Sequence, residues 1–220
     1  MKNLTVKQIV TPLATLSIIC LMYFGPITRS ILENIIISVI IIGANFLEYN
    51  GKPFEALGLY RKNFTAKNLL VYAPITAFTL FTFYVAVLVP AIEWITGVSI
   101  DYSSMSQLKG DLSTTLIWLA IVWLTAGFGE EIIFRGFFMR QFVKFFGEGK
   151  ISLILNILIF SSIFGYMHMQ QGITGQIVAG TTGAFFSMIF IKKRYDLWFM
   201  IMLHGSFNTL GIFSFYFGLA

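Results

Sequence analysis

The stretch Leu112–Met139 reads LSTTLIWLAIVWLTAGFGEEIIFRGFFM, and it decides how the chain folds. The stretch is long enough to cross a bilayer, because a transmembrane helix needs about 20 predominantly apolar residues. Three ionisable side chains, Glu130, Glu131 and Arg135, lie inside it. A charge at membrane depth costs roughly 3 kcal/mol on insertion scales, and it usually marks a functional site. The stretch therefore predicts a membrane-spanning helix that carries chemistry.

Composition places the whole chain in the same class. Of its 220 residues, 57% are hydrophobic and 11% are charged, which is far from the composition of a soluble domain. The single cysteine, Cys20, excludes an intrachain disulfide. We predict an all-α fold: a polytopic integral membrane helical bundle of about seven transmembrane helices. The candidate spans are 9–26, 31–47, 69–92, 112–139, 151–167, 173–191 and 197–217.

Basic residues are concentrated in alternate connections between these spans. Of the fifteen Lys and Arg residues, twelve precede the first span or follow spans two, four and six, whereas only Arg29 and Lys109 occupy the other connections. Cytoplasmic loops of membrane proteins are enriched in Lys and Arg. The pattern predicts a cytoplasmic N-terminus and an extracytoplasmic C-terminus. We interpret the net charge of +5 as a consequence of this topology and expect no nucleic-acid partner.

The carboxylates of the decisive stretch separate by helical geometry. Glu131 and Arg135 are four residues apart with the acid first, which favours an ion pair on one helix face. Glu130 points about 100° away around the helix and has no partner within it. A desolvated carboxylate of this kind suits a general base. The alternative is a structural ion pair with a cation on another helix.

Both histidines of the chain lie in or at the ends of apolar runs. His168 closes the fifth candidate span, and His204 lies in the seventh, four residues before Asn208. A histidine in a membrane span is either hydrogen-bonded packing or part of a site, and two of them together with a Glu pair favour a site. His204 and Asn208 share a helix face and can donate hydrogen bonds to a developing oxyanion.

Residue counts from the loops do not bring these groups to one depth. At about 1.5 Å per residue, Glu130 and His168 both lie roughly 25 to 30 Å from a turn near residues 147–149. By the same rise His204 lies about 15 Å from the loop at Arg194. We therefore expect a tilted, broken or interfacial helix after Gly136.

Three short motifs occur in order on separate apolar segments: Glu-Glu-x-x-x-Arg at 130–135, Phe-x-x-x-His at 164–168 and His-x-x-x-Asn at 204–208. The set resembles the CPBP (CAAX protease / bacteriocin-processing, Abi) family of intramembrane proteases, which includes the type II CAAX prenyl endopeptidases and the bacteriocin-immunity proteins. The resemblance covers about residues 112–217, which we expect to be the catalytic core. Residues 1–111 are expected to hold N-terminal transmembrane helices and a loop, either interfacial or merely connecting, within a single membrane domain.

The resemblance implies roles for individual residues. Glu130 and His168 would activate the attacking water, whereas His204 and Asn208 would stabilise the oxyanion. Glu131, Arg135 and Phe164 would support them. The family is often labelled a metalloprotease, and Glu130, His168 and His204 are the candidate ligands of a divalent metal such as zinc. A metal-free, Glu-activated water is equally open.

The leading hypothesis is an intramembrane endopeptidase of a bacterial cytoplasmic membrane, acting on a peptide or membrane-protein substrate among membrane lipids. A second hypothesis is a non-catalytic bacteriocin-immunity or peptide-binding membrane protein that uses the same cavity. A third is a proton-coupled transporter, since intramembrane Glu and His also form proton relays. It is less favoured because no two spans show internal symmetry. The sequence leaves the substrate and the oligomeric state undetermined.

Overall fold

A computed structural model describes residues 4–25, 32–49 and 51–219, and within these ranges the chain is helical without any strand. Apart from three short 3-10 helices, the described residues form eight helices: α1 (Val6–Phe24), α2 (Glu33–Glu48), α3 (Pro53–Leu57), α4 (Asn68–Thr96), α5 (Leu112–Phe146), α6 (Lys150–Tyr166), α7 (Gly172–Lys192) and α8 (Leu197–Tyr216). The prediction of an all-helical protein is confirmed.

The number of membrane spans differs from the prediction. Among the described residues, α1, α4, α5, α7 and α8 are long and apolar enough to cross a membrane, as expected of an integral membrane protein. The other two candidates, α2 and α6, have 16 and 17 residues. At about 1.5 Å per residue both are shorter than a hydrocarbon core of roughly 30 Å. The count of seven is therefore not confirmed; the predicted span ends at Pro26 and Ile31 lie outside the described residues.

Helix α5 positions most of the predicted site. Its start is capped by Asp111, whose carboxylate accepts a hydrogen bond from the Thr114 backbone N–H at 3.0 Å. From Trp123 to Met139 the helix is π-helical, with the wider i→i+5 hydrogen bonding that often occurs at functional sites. The helix continues unbroken to Phe146.

One of the three geometries expected after Gly136, a broken helix, is therefore wrong: α5 is continuous through this residue. Gly136 is buried inside the helix, where a Cβ atom would come within 3.0 Å of a Leu197 side-chain carbon. The missing side chain thus lets α8 approach α5 closely. Gly136 serves packing rather than bending.

Most basic residues gather at one end of the bundle, hereafter the basic end. There the Lys144 ammonium donates to the Gln8 carbonyl oxygen at 2.7 Å, and the Arg140 guanidinium donates to the Ala56 carbonyl oxygen at 3.1 Å. The Leu197 backbone N–H donates to the Gly58 carbonyl oxygen at 3.0 Å. These bonds join the start of α1, the connection 51–67, the end of α5 and the turn before α8.

The other end of the bundle, hereafter the opposite end, holds the remaining connections. The Gly110 backbone N–H donates to the Tyr216 carbonyl oxygen at 3.0 Å, and the Asp101 N–H donates to the Gln171 carbonyl oxygen at 3.1 Å. Lys109 is the basic residue of this end among those described. Two of the counted basic residues, Lys2 and Arg29, lie outside the described ranges.

The packing of the turn before α8 against α5 explains why no break in α5 is needed. The Arg140 guanidinium lies 4.8 Å from the centroid of the Tyr195 ring, so the turn before α8 meets α5 six residues before α5 ends. Glu131 lies nine residues before Arg140, and His204 lies nine residues after Tyr195. Both residues therefore reach a similar depth.

The N-terminal helices share a core with the helices that carry the motifs. One cluster of buried apolar side chains includes Ile19 of α1, Ile37 and Ile41 of α2, Ile132 of α5 and Phe207 of α8. In the connection between α2 and α4, Leu57 and Leu59 are buried in this core, but Phe54 and Phe64 are exposed. Helices before and after residue 111 therefore pack around one core.

Candidate active site

A buried ionic group lies at the centre of the predicted site. One carboxylate oxygen of Glu131, Oε1, accepts a hydrogen bond from Arg135 Nη1 at 2.9 Å and another from His204 Nδ1 at 2.8 Å. The side chains of Glu131 and Arg135 are 0% and 1% exposed. The ion pair that the four-residue spacing predicts is therefore confirmed. The contact with His204 joins α8 to this pair.

Aromatic rings enclose the guanidinium of Arg135. Its Cζ atom lies 5.2 Å from the ring centroid of Phe164 and 5.5 Å from that of Phe186, within reach of cation–π attraction. Its Nη2 atom donates to the Gly183 carbonyl oxygen at 3.1 Å. The cation therefore joins α5, α6 and α7 as well as balancing the Glu131 carboxylate.

His168 is oriented by the end of helix α6. The last carbonyl groups of a helix lack backbone donors, and His168 Nδ1 lies 2.8 Å from one of them, the Phe164 oxygen. A carbonyl oxygen only accepts, so Nδ1 carries the proton. In the neutral ring, Nε2 then holds the free electron pair and can take up a proton. The Phe-x-x-x-His spacing thus sets the tautomer of His168.

Glu130 and His168 line one cavity of about 280 Å³ at the opposite end of the bundle. Glu130 is half-buried, in contrast to the fully buried Glu131. The cavity walls come from α1, α2, α5 and α6 with the segment that follows it. The lining residues are Tyr23, Phe24, Glu33, Asn34, Thr125, Glu130, Tyr166, Met167, His168, Met169 and Gln170.

Phe164 connects the two halves of the predicted site. Its ring centroid lies 4.7 Å from that of His168 and 6.4 Å from that of His204. His204 is 5% exposed and does not line the Glu130 cavity. Asn208 lies one turn further along α8, and its side chain makes no hydrogen bond with any described residue. The structure therefore places Glu130 and His168 on the lining of one cavity and bonds His204 to Glu131, whereas Asn208 belongs to neither group.

The candidate metal ligands do not form a metal site. Nowhere in the described ranges do three His, Cys, Asp or Glu side chains group so that they would hold a metal ion, and this includes Glu130, His168 and His204. As placed in the structure, these side chains therefore do not provide the three protein ligands that a catalytic zinc site needs.

Two residues that are linked to Glu130, Asn34 directly and Tyr23 through Asn34, were not among the predicted site residues. Asn34 Nδ2 of α2 lies 3.4 Å from Glu130 Oε1, and the Tyr23 hydroxyl of α1 donates to Asn34 Oδ1 at 2.7 Å. No sequence signal marked them. Polar residues in apolar spans are common in this chain, and most bond to their own helix, as Asn45 does with the Ile41 carbonyl oxygen.

Comparison with known proteins supports the resemblance over the motif-bearing helices. Residues 112–210 match the family model described as Type II CAAX prenyl endopeptidase Rce1-like. The match is consistent with the CPBP family and contains all three motifs. It supports peptidase activity. No curated protein and no solved structure is detectably similar to the chain.

Proposed function

We propose, on the premise of that family match, that the protein is an intramembrane endopeptidase that cleaves a membrane-associated peptide or membrane-protein segment. The observation that carries the proposal is the cavity, whose lining includes both Glu130 of α5 and His168 of the segment that follows α6. Its volume, about 280 Å³, is near the lower bound of small-molecule pockets and suits a short extended segment of peptide.

In the proposed reaction Glu130 acts as general base. It takes a proton from a water molecule, whose oxygen attacks the carbonyl carbon of the scissile peptide bond. His168 holds this water through the free electron pair of Nε2. The C–N bond of the tetrahedral intermediate then breaks, and the proton passes from the Glu130 carboxyl group to the leaving nitrogen.

From the resemblance, His204 and Asn208 are assigned to the oxyanion, although neither side chain lines the cavity that holds Glu130 and His168. Because Nδ1 of His204 donates to Glu131, a second donor at Nε2 requires the protonated ring. Glu131, Arg135 and a protonated His204 together carry one net positive charge in a buried environment. Such a preorganised charge stabilises a developing oxyanion more strongly than water does. No step requires a metal ion, in keeping with the donor set.

Hydrolysis by the purified protein in liposomes tests the proposal. Glu130→Gln and His168→Ala should each lower kcat by about 10² or more, the usual contribution of a general base, with folding unchanged. Glu55→Gln is the matched control, since Glu55 is exposed at the basic end. Full activity of both site variants would overturn the mechanism. If the Glu130→Gln variant protects cells as well as the wild-type protein does, the protein would instead be the non-catalytic binding protein.

The proposed location is a bacterial cytoplasmic membrane with the N-terminus in the cytoplasm. The concentration of basic residues at one end of the bundle supports this orientation, because such residues favour the cytoplasmic side. The cavity lies at the opposite end, where α1 and α6 finish and α2 begins. In this orientation the substrate is a peptide segment on the extracytoplasmic side.

A further inference from the structure

We infer that Tyr23 and Asn34 position the Glu130 carboxylate for its reaction with water. The inference rests on the proposed function, because it assigns Glu130 the role of base. Both residues precede the family match at 112–210. The first two helices would therefore supply a part of the active site that the three motifs do not contain.

The amide of Asn34 has a defined orientation. The Tyr23 hydroxyl donates to Asn34 Oδ1 at 2.7 Å, which leaves the Nδ2 donor facing Glu130 Oε1 at 3.4 Å. An amide oxygen accepts and an amide nitrogen donates, so this network fixes which way the Asn34 side chain points. Tyr23 is thus bound to Glu130 through Asn34.

Close packing of α2 against α5 keeps Asn34 beside Glu130. A Cβ atom on Gly129 would lie 2.9 Å from the Asn34 Cβ atom, so only glycine permits this approach of α2 to α5. The Ser38 hydroxyl lies 3.2 Å from the Gly129 carbonyl oxygen. Two side chains of α2, one turn apart, therefore contact the Gly129–Glu130 segment.

The contact has a chemical consequence. One oxygen of the Glu130 carboxylate is engaged by Asn34, so the carboxylate presents its other oxygen to a water molecule in the cavity. Without the amide the carboxylate is free to rotate, and a misplacement of about 1 Å in a reacting group can cost about 10²-fold in rate. Asn34 and Tyr23 are thus positioning residues: both line the cavity, and the role inferred for them is to orient Glu130.

Steady-state kinetics of three variants test the inference. Asn34→Ala should lower kcat by about ten- to a hundredfold, because the base loses its orientation, and should change KM by a smaller factor even though Asn34 also lines the cavity. Tyr23→Phe should lower kcat by a smaller factor. Asn45→Ala is the control: Asn45 is a buried amide of the same helix that bonds to the Ile41 carbonyl oxygen, and its loss should leave kcat unchanged.

Infrared difference spectra provide a readout that does not need activity. The carboxylate band of Glu130, assigned by its absence in Glu130→Gln, should shift in Asn34→Ala and remain in place in Asn45→Ala. An unshifted band, or a kcat for Asn34→Ala equal to that of Asn45→Ala, would overturn the inference. If the wild-type protein hydrolyses no peptide, the proposed function fails. The position of the Glu130 carboxylate band would then still test the contact between Asn34 and Glu130. Tyr23→Phe, which removes one oxygen atom, serves the same test if Asn34→Ala does not fold.

Discussion

At the residue scale, the site depends on one carboxylate oxygen. Glu131 Oε1 receives both the Arg135 guanidinium and the His204 ring, and all three side chains are buried. Taking charges out of water is costly, and their mutual attraction offsets that cost only while the pair is complete. The adjacent Glu130 lies outside this group and faces the cavity. Glu130 and Glu131 are adjacent in sequence, yet Glu130 lines a cavity and Glu131 is fully buried.

Removal of the cation should therefore destabilise the fold. We expect Arg135→Leu to lower the free energy of unfolding by about 3 to 5 kcal/mol, because it leaves a buried carboxylate without its cation. Chemical unfolding in detergent micelles measures this change. Lys52→Ala provides the comparison: Lys52 pairs with Glu55 at 3.4 Å on the surface, and such exposed pairs contribute about 1 kcal/mol or less. Equal stabilities of the two variants would contradict the role of the buried pair.

Sequence alone predicted this group in part. The spacing of Glu131 and Arg135 is a local property of a helix, and it predicted their contact correctly. The bond from His204 to Glu131 joins residues 73 positions apart, so it depends on how two helices pack. Asn34 and Tyr23 were missed for the same reason. A polar residue in an apolar span shows its partner only once the neighbouring helix is in place.

At the element scale, glycines set how closely α8 packs against α5. A Cβ atom on Gly127 would lie 3.2 Å from the Gly205 Cα atom, and a Cβ atom on Gly205 would overlap the Trp123 ring. The Trp123 indole N–H donates to the Thr209 hydroxyl at 3.0 Å on the same side of α8. Small residues of this kind allow close helix contacts within a membrane. This contact places His204 beside Glu131.

Two glycines of α8 provide a matched comparison. Gly205→Ala should lower the free energy of unfolding by about 1 to 3 kcal/mol, because the added methyl group overpacks against Trp123. In Gly211→Ala the nearest atom, a carbon of Phe81, lies at 3.9 Å, so the higher helix propensity of alanine should leave stability unchanged or slightly raised. Thermal unfolding of both variants measures the difference. If Gly205→Ala is as stable as Gly211→Ala, close packing of α8 against α5 at Gly205 does not contribute to the free energy of unfolding, and the prediction is wrong.

Helix depth shows where prediction from sequence failed. If the turns after α5 and before α8 lay at one level, α5 would have to be tilted, broken or interfacial after Gly136. In the structure the turn before α8 packs at Arg140, and α5 extends beyond it to Phe146. Hydrophobic periodicity gives the length of a helix but not its displacement along a neighbour. That displacement depends on contacts such as those of Gly136 with Leu57 and Leu197.

At the scale of the whole molecule, the basic end and the cavity lie at opposite ends of the bundle. The sequence predicted the alternation of basic connections, and the structure brings the described ones together at one end. The position of the cavity could not be predicted, because residue counts placed His204 at a different depth from Glu130 and His168. With both features known, orientation in the membrane determines from which side a substrate reaches Glu130.

Cysteine labelling of intact cells measures that orientation. In a Cys20→Ser background, which removes the only native cysteine, Ser104→Cys places a thiol at the opposite end and Lys62→Cys places one at the basic end; both positions are exposed. A membrane-impermeant maleimide should label Ser104→Cys in intact cells, and Lys62→Cys only after the membrane is opened, because Lys and Arg favour the cytoplasmic side. The reverse result would place the cavity toward the cytoplasm, and the substrate would then be a cytoplasmic or newly made peptide.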